Sequence, residues 1–340
     1  MFDVFRAYGL AFAITGFQSS KAEAKISDKD YMYYVDVDCD GALPNKPDSE
    51  LFVDSDYWRG VFGRGKWRKD AKKKPPKIDC EEIFSAEYQK ILDIHRRMDY
   101  VPEIGNNLKD GRTLYQTFDV SASKGFREEK VGSTYHEGSQ LFVDKYSWTV
   151  ACIGRVFFGA RIIRGGRKKG YVLTVVPNPE QVLLHEQRQF QKDLDSKHLC
   201  GLSPNATLVH YAVKLSLLLA RKRHNIKYGS IVFNVLQKTG QQPKPSGGGK
   251  YSLDLLEKLL TPTTSIGIKI LQEFDKELEL SGIKGIRQNV ALALTDFLLH
   301  PTLENFRTFE SLYIRGQIDK KFPPWEKEQL EEILNHVEVA

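Results

Sequence analysis

A chain of 340 residues with 41% hydrophobic and 28% charged residues can bury a real core, which excludes disorder over most of its length. The length fits two domains, or one large domain with an appendage. The formal net charge is +6 but unevenly spread: from Arg59 to Lys74 eight basic residues stand against the single acid Asp70, a local charge of +7 that leaves the rest near neutral.

Val4 to Phe17 is apolar on most turns and reads as a core helix stopping near Gly16. Arg6 interrupts it, and it is too short to cross a bilayer. It lacks a basic leader, so it is a poor signal peptide, and a soluble cytoplasmic protein is expected. Ala22–Ile26 and Tyr31–Val37 alternate like hairpin strands around the polar turn Ser27 to Asp30. The stretch from Arg59 to Lys77 holds Gly60, Gly63, Gly65, Pro75 and Pro76 and cannot be one continuous helix. Glu82 to Met98 returns to helical spacing. Thr113–Val120 and Ser139–Val143 look like strands.

Trp148 to Ile163 is an apolar run that reads as a buried helix or strand pair. Arg164 to Gly170 follows as a tight basic turn, and Tyr171–Val176 is a strand closed by Pro177 and Pro179. A hairpin with a charged tip is expected. Gln181–Leu194 reads as a polar helix and Asn205–Arg223 as a long apolar one. The basic end of the latter suits the helix macrodipole. Ser230–Leu236 is a strand, and Thr239 to Gly249 reads as a linker. Beyond it the pattern is helical only, with spans near Ser252–Leu260, Ile266–Leu280, Lys284–Leu299, Leu303–Tyr313 and Trp325–Val337. The expected class is α+β: a mixed domain of antiparallel hairpins and helices over residues 1–240, a linker over 241–250, and an all-α bundle over 251–340.

Catalytic and metal motifs fail on inspection. Asp36, Asp38, Asp40 and Gly41 open like a calcium loop, but Pro47 holds the position that needs a glutamate. His185-Glu186 begins like a zinc-protease helix, but Gln189 replaces the second histidine. Gly247-Gly248-Gly249-Lys250 looks like a phosphate cradle, yet Tyr251 stands where a Ser or Thr would hold the metal, so it reads as linker. Cys39, Cys80, Cys152 and Cys200 form no paired zinc spacing and read as reduced structural thiols. No cofactor and no catalytic residue is expected.

The basic clusters point to a polyanion. The first contains Trp58, Arg59, Arg64, Lys66, Trp67, Arg68, Lys69, Lys72, Lys73 and Lys74. The second is Arg164, Gly165, Gly166, Arg167, Lys168 and Lys169, and Arg221, Arg223 and Lys250 extend the set. Lysine and arginine neutralise phosphates with release of counterions. Interleaved aromatics can stack on exposed bases, and glycines let backbone N–H groups approach a phosphate.

Phe5-Arg6-Ala7-Tyr8-Gly9-Leu10-Ala11 followed by a hairpin resembles the opening of the large subunit of type I CRISPR effector complexes (Cascade), in its short I-A and I-B branch. Ile153-Gly154-Arg155-Val156-Phe157-Phe158, Val175-Val176-Pro177-Asn178-Pro179 and Asp296-Phe297-Leu298-Leu299-His300-Pro301 look similar to that family too. The resemblance implies a non-catalytic subunit that reads the short motif flanking a DNA target, wedges the duplex open and recruits a downstream effector. Implied partners are the backbone and guide-handle subunits of the complex, guide RNA, target double-stranded DNA, and a helicase–nuclease or transposition proteins. No membrane is involved. The C-terminal bundle would resemble the small subunit of such complexes. Arg164–Gly170 is then assigned to duplex contact and Trp58–Lys74 to strand contact. The rival readings are a metal-dependent nuclease with a cryptic carboxylate site, and a structural adaptor for acidic proteins.

Overall fold

The computed structural model describes residues 1–15, 22–29, 32–39, 76–97, 100–105, 108–114, 118, 142–165, 170–184, 194, 198–222, 227–238, 243–261, 265–282, 285–318 and 325–337. The fold is α+β. It divides into two units, Met1–Gln191 with Asn225–Tyr228 and Val232–Gly249, and Lys192–His224 with Gly229–Ile231 and Lys250–Ala340. No described helix is long and apolar enough to cross a membrane.

In the first unit, helix α1 (Phe2–Thr15) is apolar around nearly its whole circumference and is buried accordingly. It leads into the hairpin of β1 (Ala22–Lys29) and β2 (Met32–Cys39), paired from Ala22↔Cys39 to Lys29↔Met32. The strands are longer than the sequence suggests. Helix α2 (Pro76–Ala86) begins on a proline, whose missing N–H costs nothing in a first turn. The expected single helix breaks at Glu87, and α3 (Tyr88–His95) follows. The broken position is used: Glu87 accepts from Lys145 Nζ at 2.5 Å and from the Tyr146 hydroxyl at 2.6 Å.

Short strands β3 (Ile104–Gly105), β4 (Arg112–Thr113) and β5 (Phe142–Val143) form a small sheet in the order β3-β5-β4. Helix α4 (Lys145–Phe158) is capped by Asp144, whose carboxylate accepts from the backbone N–H of Tyr146 and Ser147 at 3.1 and 2.8 Å. It packs along α1 at very short range. A Cβ on Gly9 would overlap the Val150 carbonyl oxygen, and one on Gly154 would overlap that of Phe5. Around this seam gather Phe5, Tyr8, Phe12, Trp148 and Phe158, all buried.

Strand β6 (Ala160–Gly165) turns back into β7 (Gly170–Leu183). Strands β8 (Lys227–Lys238) and β9 (Pro243–Ser252) complete a sheet in the order β2-β1-β7-β8-β9, with β6 also on β7. Two elements differ from expectation. β7 runs past Pro177 and Pro179 to Leu183, so Gln181–Leu183 is strand rather than the start of a polar helix. The prolines fall between the β6 pairing, which stops at Val175, and the β1 pairing, which starts at Gln181, where no ladder partner is needed on that edge. The segment read as a linker is strand from Pro243 onward. It lies at the end of the sheet path, where proline and glycine are tolerated, and its glycines let β8 come close: a Cβ on Gly248 would stand 2.6 Å from Asn234 Oδ1.

The second unit is built from helices α5 (Pro204–Lys222), α6 (Asp254–Leu260), α7 (Ser265–Glu279), α8 (Ile286–Leu299), α9 (Leu303–Ile318) and α10 (Lys327–Leu334). Helix α5 belongs here rather than with the strands that flank it in sequence. Ile270, Leu271, Phe274 and Leu278 line one face of α7 and are fully buried. Phe274, Phe309, Tyr313 and Trp325 form a ring cluster with centroids 5.6–6.2 Å apart. Such pairs add about 0.5–1.5 kcal/mol each beyond burial.

Candidate nucleic-acid interface

The basic turn is carried on the β6–β7 hairpin. Pairing runs from Ala160↔Val175 to Gly165↔Gly170. The closing pair needs glycine: Gly165 has φ 82° and Gly170 φ 147°, backbone that side chains with a Cβ rarely adopt. A Cβ on Gly170 would also overlap the Arg164 carbonyl and stand 3.0 Å from the Gly165 Cα. Arg164 is half-buried opposite Tyr171, Gly165 is exposed, and Ile163 beside them is 40% exposed. Gly166, Arg167, Lys168 and Lys169 join the two strands and lie outside the described residues.

The hairpin is firmly rooted. Tyr171 to Pro179 is buried without interruption. The Tyr8 hydroxyl donates to the Pro177 carbonyl at 3.0 Å. Tyr33 donates to Asn178 Oδ1 at 2.5 Å, and Asn178 Nδ2 donates to Asp28 Oδ2 at 3.1 Å. The two strands that carry the turn are thereby fixed at their base.

Where the hairpin leaves α4, the structure shows a residue that sequence reasoning passed over. Arg155 sits in the last turn of α4 and is 2% exposed. Its Cζ lies 5.3 Å from the centre of the Phe5 ring. Its Nε and Nη2 have no hydrogen-bond partner among the described residues. Burial first, then the charge of Arg161, draw its pKa down to about 9, so it remains a cation at neutral pH. In the sequence Arg155 is one charge in an apolar run, and nothing in its spacing marks it.

The remaining expected residues are dispersed. Trp58, Arg59, Arg64, Lys66, Trp67, Arg68, Lys69, Lys72, Lys73, Lys74 and Arg223 lie outside the described residues. In the second unit, Arg221 is exposed near the C-terminus of α5, where a cation meets unsatisfied carbonyls, and Lys250 is exposed on β9.

Among the described residues no group of three or more His, Cys, Asp or Glu side chains is placed to hold a metal ion. Asp79 pairs with Arg112 at 3.5 Å. A buried histidine network in the second unit also escaped the sequence. His210 Nδ1 accepts the Cys200 backbone N–H at 2.7 Å, so Nε2 carries the proton and donates to Asp275 Oδ1 at 2.8 Å. Lys214 reaches the same oxygen at 2.9 Å. Burial holds His210 below its ordinary pKa, and the bonds from His210 and Lys214 outweigh burial to hold Asp275 below the usual carboxylate range. With both imidazole nitrogens engaged, the arrangement clamps the start of α5 to α7 and leaves His210 no nitrogen to act as a base.

No family model matches the chain. It is similar to a protein of Archaeoglobus fulgidus described as an uncharacterized protein, 28% identical over 358 aligned residues that cover 99% of this chain and 96% of the relative. The likeness extends end to end through both units.

Proposed function

We propose that this chain is a non-catalytic, nucleic-acid-gripping subunit of an RNA-guided surveillance complex of the Cascade type. In this reading guide–target pairing supplies sequence recognition, while the protein reads the flanking motif, attracts the duplex backbone and helps open it. The cytoplasm is its place of action, and a helicase–nuclease or transposition proteins are its downstream partners. The observation that supports the reading best is the β6–β7 hairpin: a glycine-closed pair of strands, rooted in a buried strand, whose connecting residues are Gly166-Arg167-Lys168-Lys169. A rigid base with a basic tip suits insertion against a phosphate backbone. The basic segment from Trp58 to Lys74 supplies the long-range attraction.

The test is target-DNA binding by the assembled complex across a salt series, with Arg164, Arg167, Lys168 and Lys169 changed together to Ala. Every cation removed from a phosphate should flatten the slope of log affinity against log salt by about 0.9. An affinity and slope equal to those of the unaltered complex would exclude the hairpin from DNA binding.

A further inference from the structure

In the second unit, the pair of helices α8 and α9 carries a groove of about 350 Å³ that the nucleic-acid reading does not use. Its lining recurs at helical spacing, with Asn289, Leu292 and Asp296 on α8 and Asn305, Thr308 and Leu312 on α9. Ala293, 7% exposed, is the small residue at its floor. Only His300, Pro301 and Thr302 join the two helices, so they run antiparallel. That course puts Asp296 level with Asn305 at one end. Asn289 is level with Leu312 at the other, about 10 Å away along α8. Leu292 lies between the ends and is 38% exposed.

The hydrogen-bonding sense of one end is fixed by the contacts its residues already make. Asn305 Nδ2 donates to the His300 carbonyl at 2.9 Å, which leaves Oδ1 as an open acceptor. The Thr308 hydroxyl gives its proton to the Glu304 carbonyl at 3.0 Å and keeps its lone pairs. The Asp296 carboxylate, the single charged group in the lining, makes no ion pair or hydrogen bond with another described residue. It sits in the last turn of α8, whose negative end also favours a cation. The opposing N-terminus of α9 is capped, since Thr302 Oγ1 accepts the Asn305 N–H at 3.3 Å. The end near Asp296 therefore offers acceptors and negative charge, while Leu292 and Leu312 supply apolar walls beside it.

An ammonium group on an apolar stem matches this arrangement, because it brings three donors and no acceptor. A polyamine is disfavoured, since its second cation would meet the uncharged Asn289 and Leu312. The groove is also open along its length, with Asn289, Leu292, Asp296 and Thr308 all exposed. It thus suits a chain laid across it better than an enclosed small molecule. We propose that the α8–α9 groove docks a helix of a partner protein, which lays an apolar side chain between Leu292 and Leu312 and, one turn on, a lysine against Asp296, Asn305 and Thr308. Helix-in-groove docking reads anchors at this spacing. The inference is independent of the nucleic-acid reading.

The experiment is an amide-shift titration of the full-length chain, labelled with nitrogen-15. The probe is an alanine- and glutamine-based helical peptide carrying one leucine and, four residues later, one lysine. A second peptide has norleucine in place of the lysine, and butylamine serves as the small-molecule arm. The chains compared are wild type, Asp296→Asn and Thr308→Val. Both substitutions fall on exposed side chains, so the variants should keep the parent's shifts away from the groove. The lysine peptide should give saturable shifts confined to 289–296 and 305–312. Asp296→Asn and the norleucine peptide should each weaken binding by about fivefold, and Thr308→Val by less. Absence of saturable shifts, or equal binding by Asp296→Asn, would overturn the proposal. So would a norleucine peptide that binds as tightly as the lysine peptide, which would leave an apolar contact only. Butylamine binding as tightly as the peptide would overturn the partner helix in favour of a small amine.

Discussion

Gly9 and Gly154 let two helix backbones touch, and each sits in a helix interior where glycine costs about 1 kcal/mol relative to alanine. The close approach of α1 and α4 recovers that cost through packing of Phe5, Tyr8 and Phe158. Gly9→Ala should therefore destabilise the chain by about 3 kcal/mol or more, as overpacking of a dense seam does. Gly282→Ala, with nothing within 4 Å of the added methyl, should leave the denaturation midpoint within about 0.5 kcal/mol of the parent. In the second unit Glu277 confers a pH dependence of definite sign. Burial lifts its carboxyl to about 7 against the pull of Arg287, whose Nη1 lies 3.4 Å away. In the unfolded chain it ionises near 4.5, so between those values the folded state holds the extra proton and stability falls as pH rises through 7. Glu277→Gln should be more stable than the parent by about 1–3 kcal/mol at pH 8 and close to it near pH 5, read from urea unfolding through tryptophan fluorescence. His95 acts in the opposite sense. Burial, then Arg6, draw it to about 4, so the unfolded chain binds the proton first and stability drops as pH falls from 6.5 toward 4. His95→Phe should flatten that acid limb.

Strand-closing glycines are the element-scale counterpart. Gly170→Ala places a side chain at φ 147° and against the Arg164 carbonyl, so the hairpin end should open. Faster amide exchange confined to Arg161–Gly165 and Tyr171–Thr174 would record it, whereas exchange unchanged from the parent would show that the glycine is dispensable. How legible the elements were follows from how local their causes are. Helices α1 and α5 to α10, and the hairpin β1–β2, announce themselves by periodicity and by Pro or Gly at their ends. Strand β9 did not, because Pro243 to Gly249 is the composition of a linker and becomes a strand only when β8 offers an edge. The extension of β7 through Pro177 and Pro179 depends in the same way on where β6 and β1 stop pairing. The break at Glu87 is set by Lys145 and Tyr146, 58 and 59 residues away. Arg155 was illegible for a related reason: its burial and its unsatisfied N–H groups are products of the α1–α4 packing, which leaves no mark on its sequence neighbours. The β6–β7 hairpin was legible, because a run of charge and glycines between apolar segments needs no tertiary information, while Gly166 to Lys169 of the expected tip lie outside the described residues.

For the whole molecule the governing facts are the charge and its placement. A formal charge of +6 is carried almost wholly by the segment from Arg59 to Lys74, while the β6–β7 hairpin adds a second, rooted basic element. On the proposed reading, such a distribution suits attraction followed by registration, with the charged segment raising the rate of encounter and the rooted hairpin setting the pose. On that reading the chain holds DNA without altering it. The most direct test incubates the purified full-length chain with labelled duplex and single-stranded DNA, with Mg²⁺ or Mn²⁺, over rising salt. Retention that weakens steeply with salt while the DNA stays intact is the expected result. DNA cut in a way that a single Asp or Glu substitution abolishes, or no retention of either form at low salt, would contradict it.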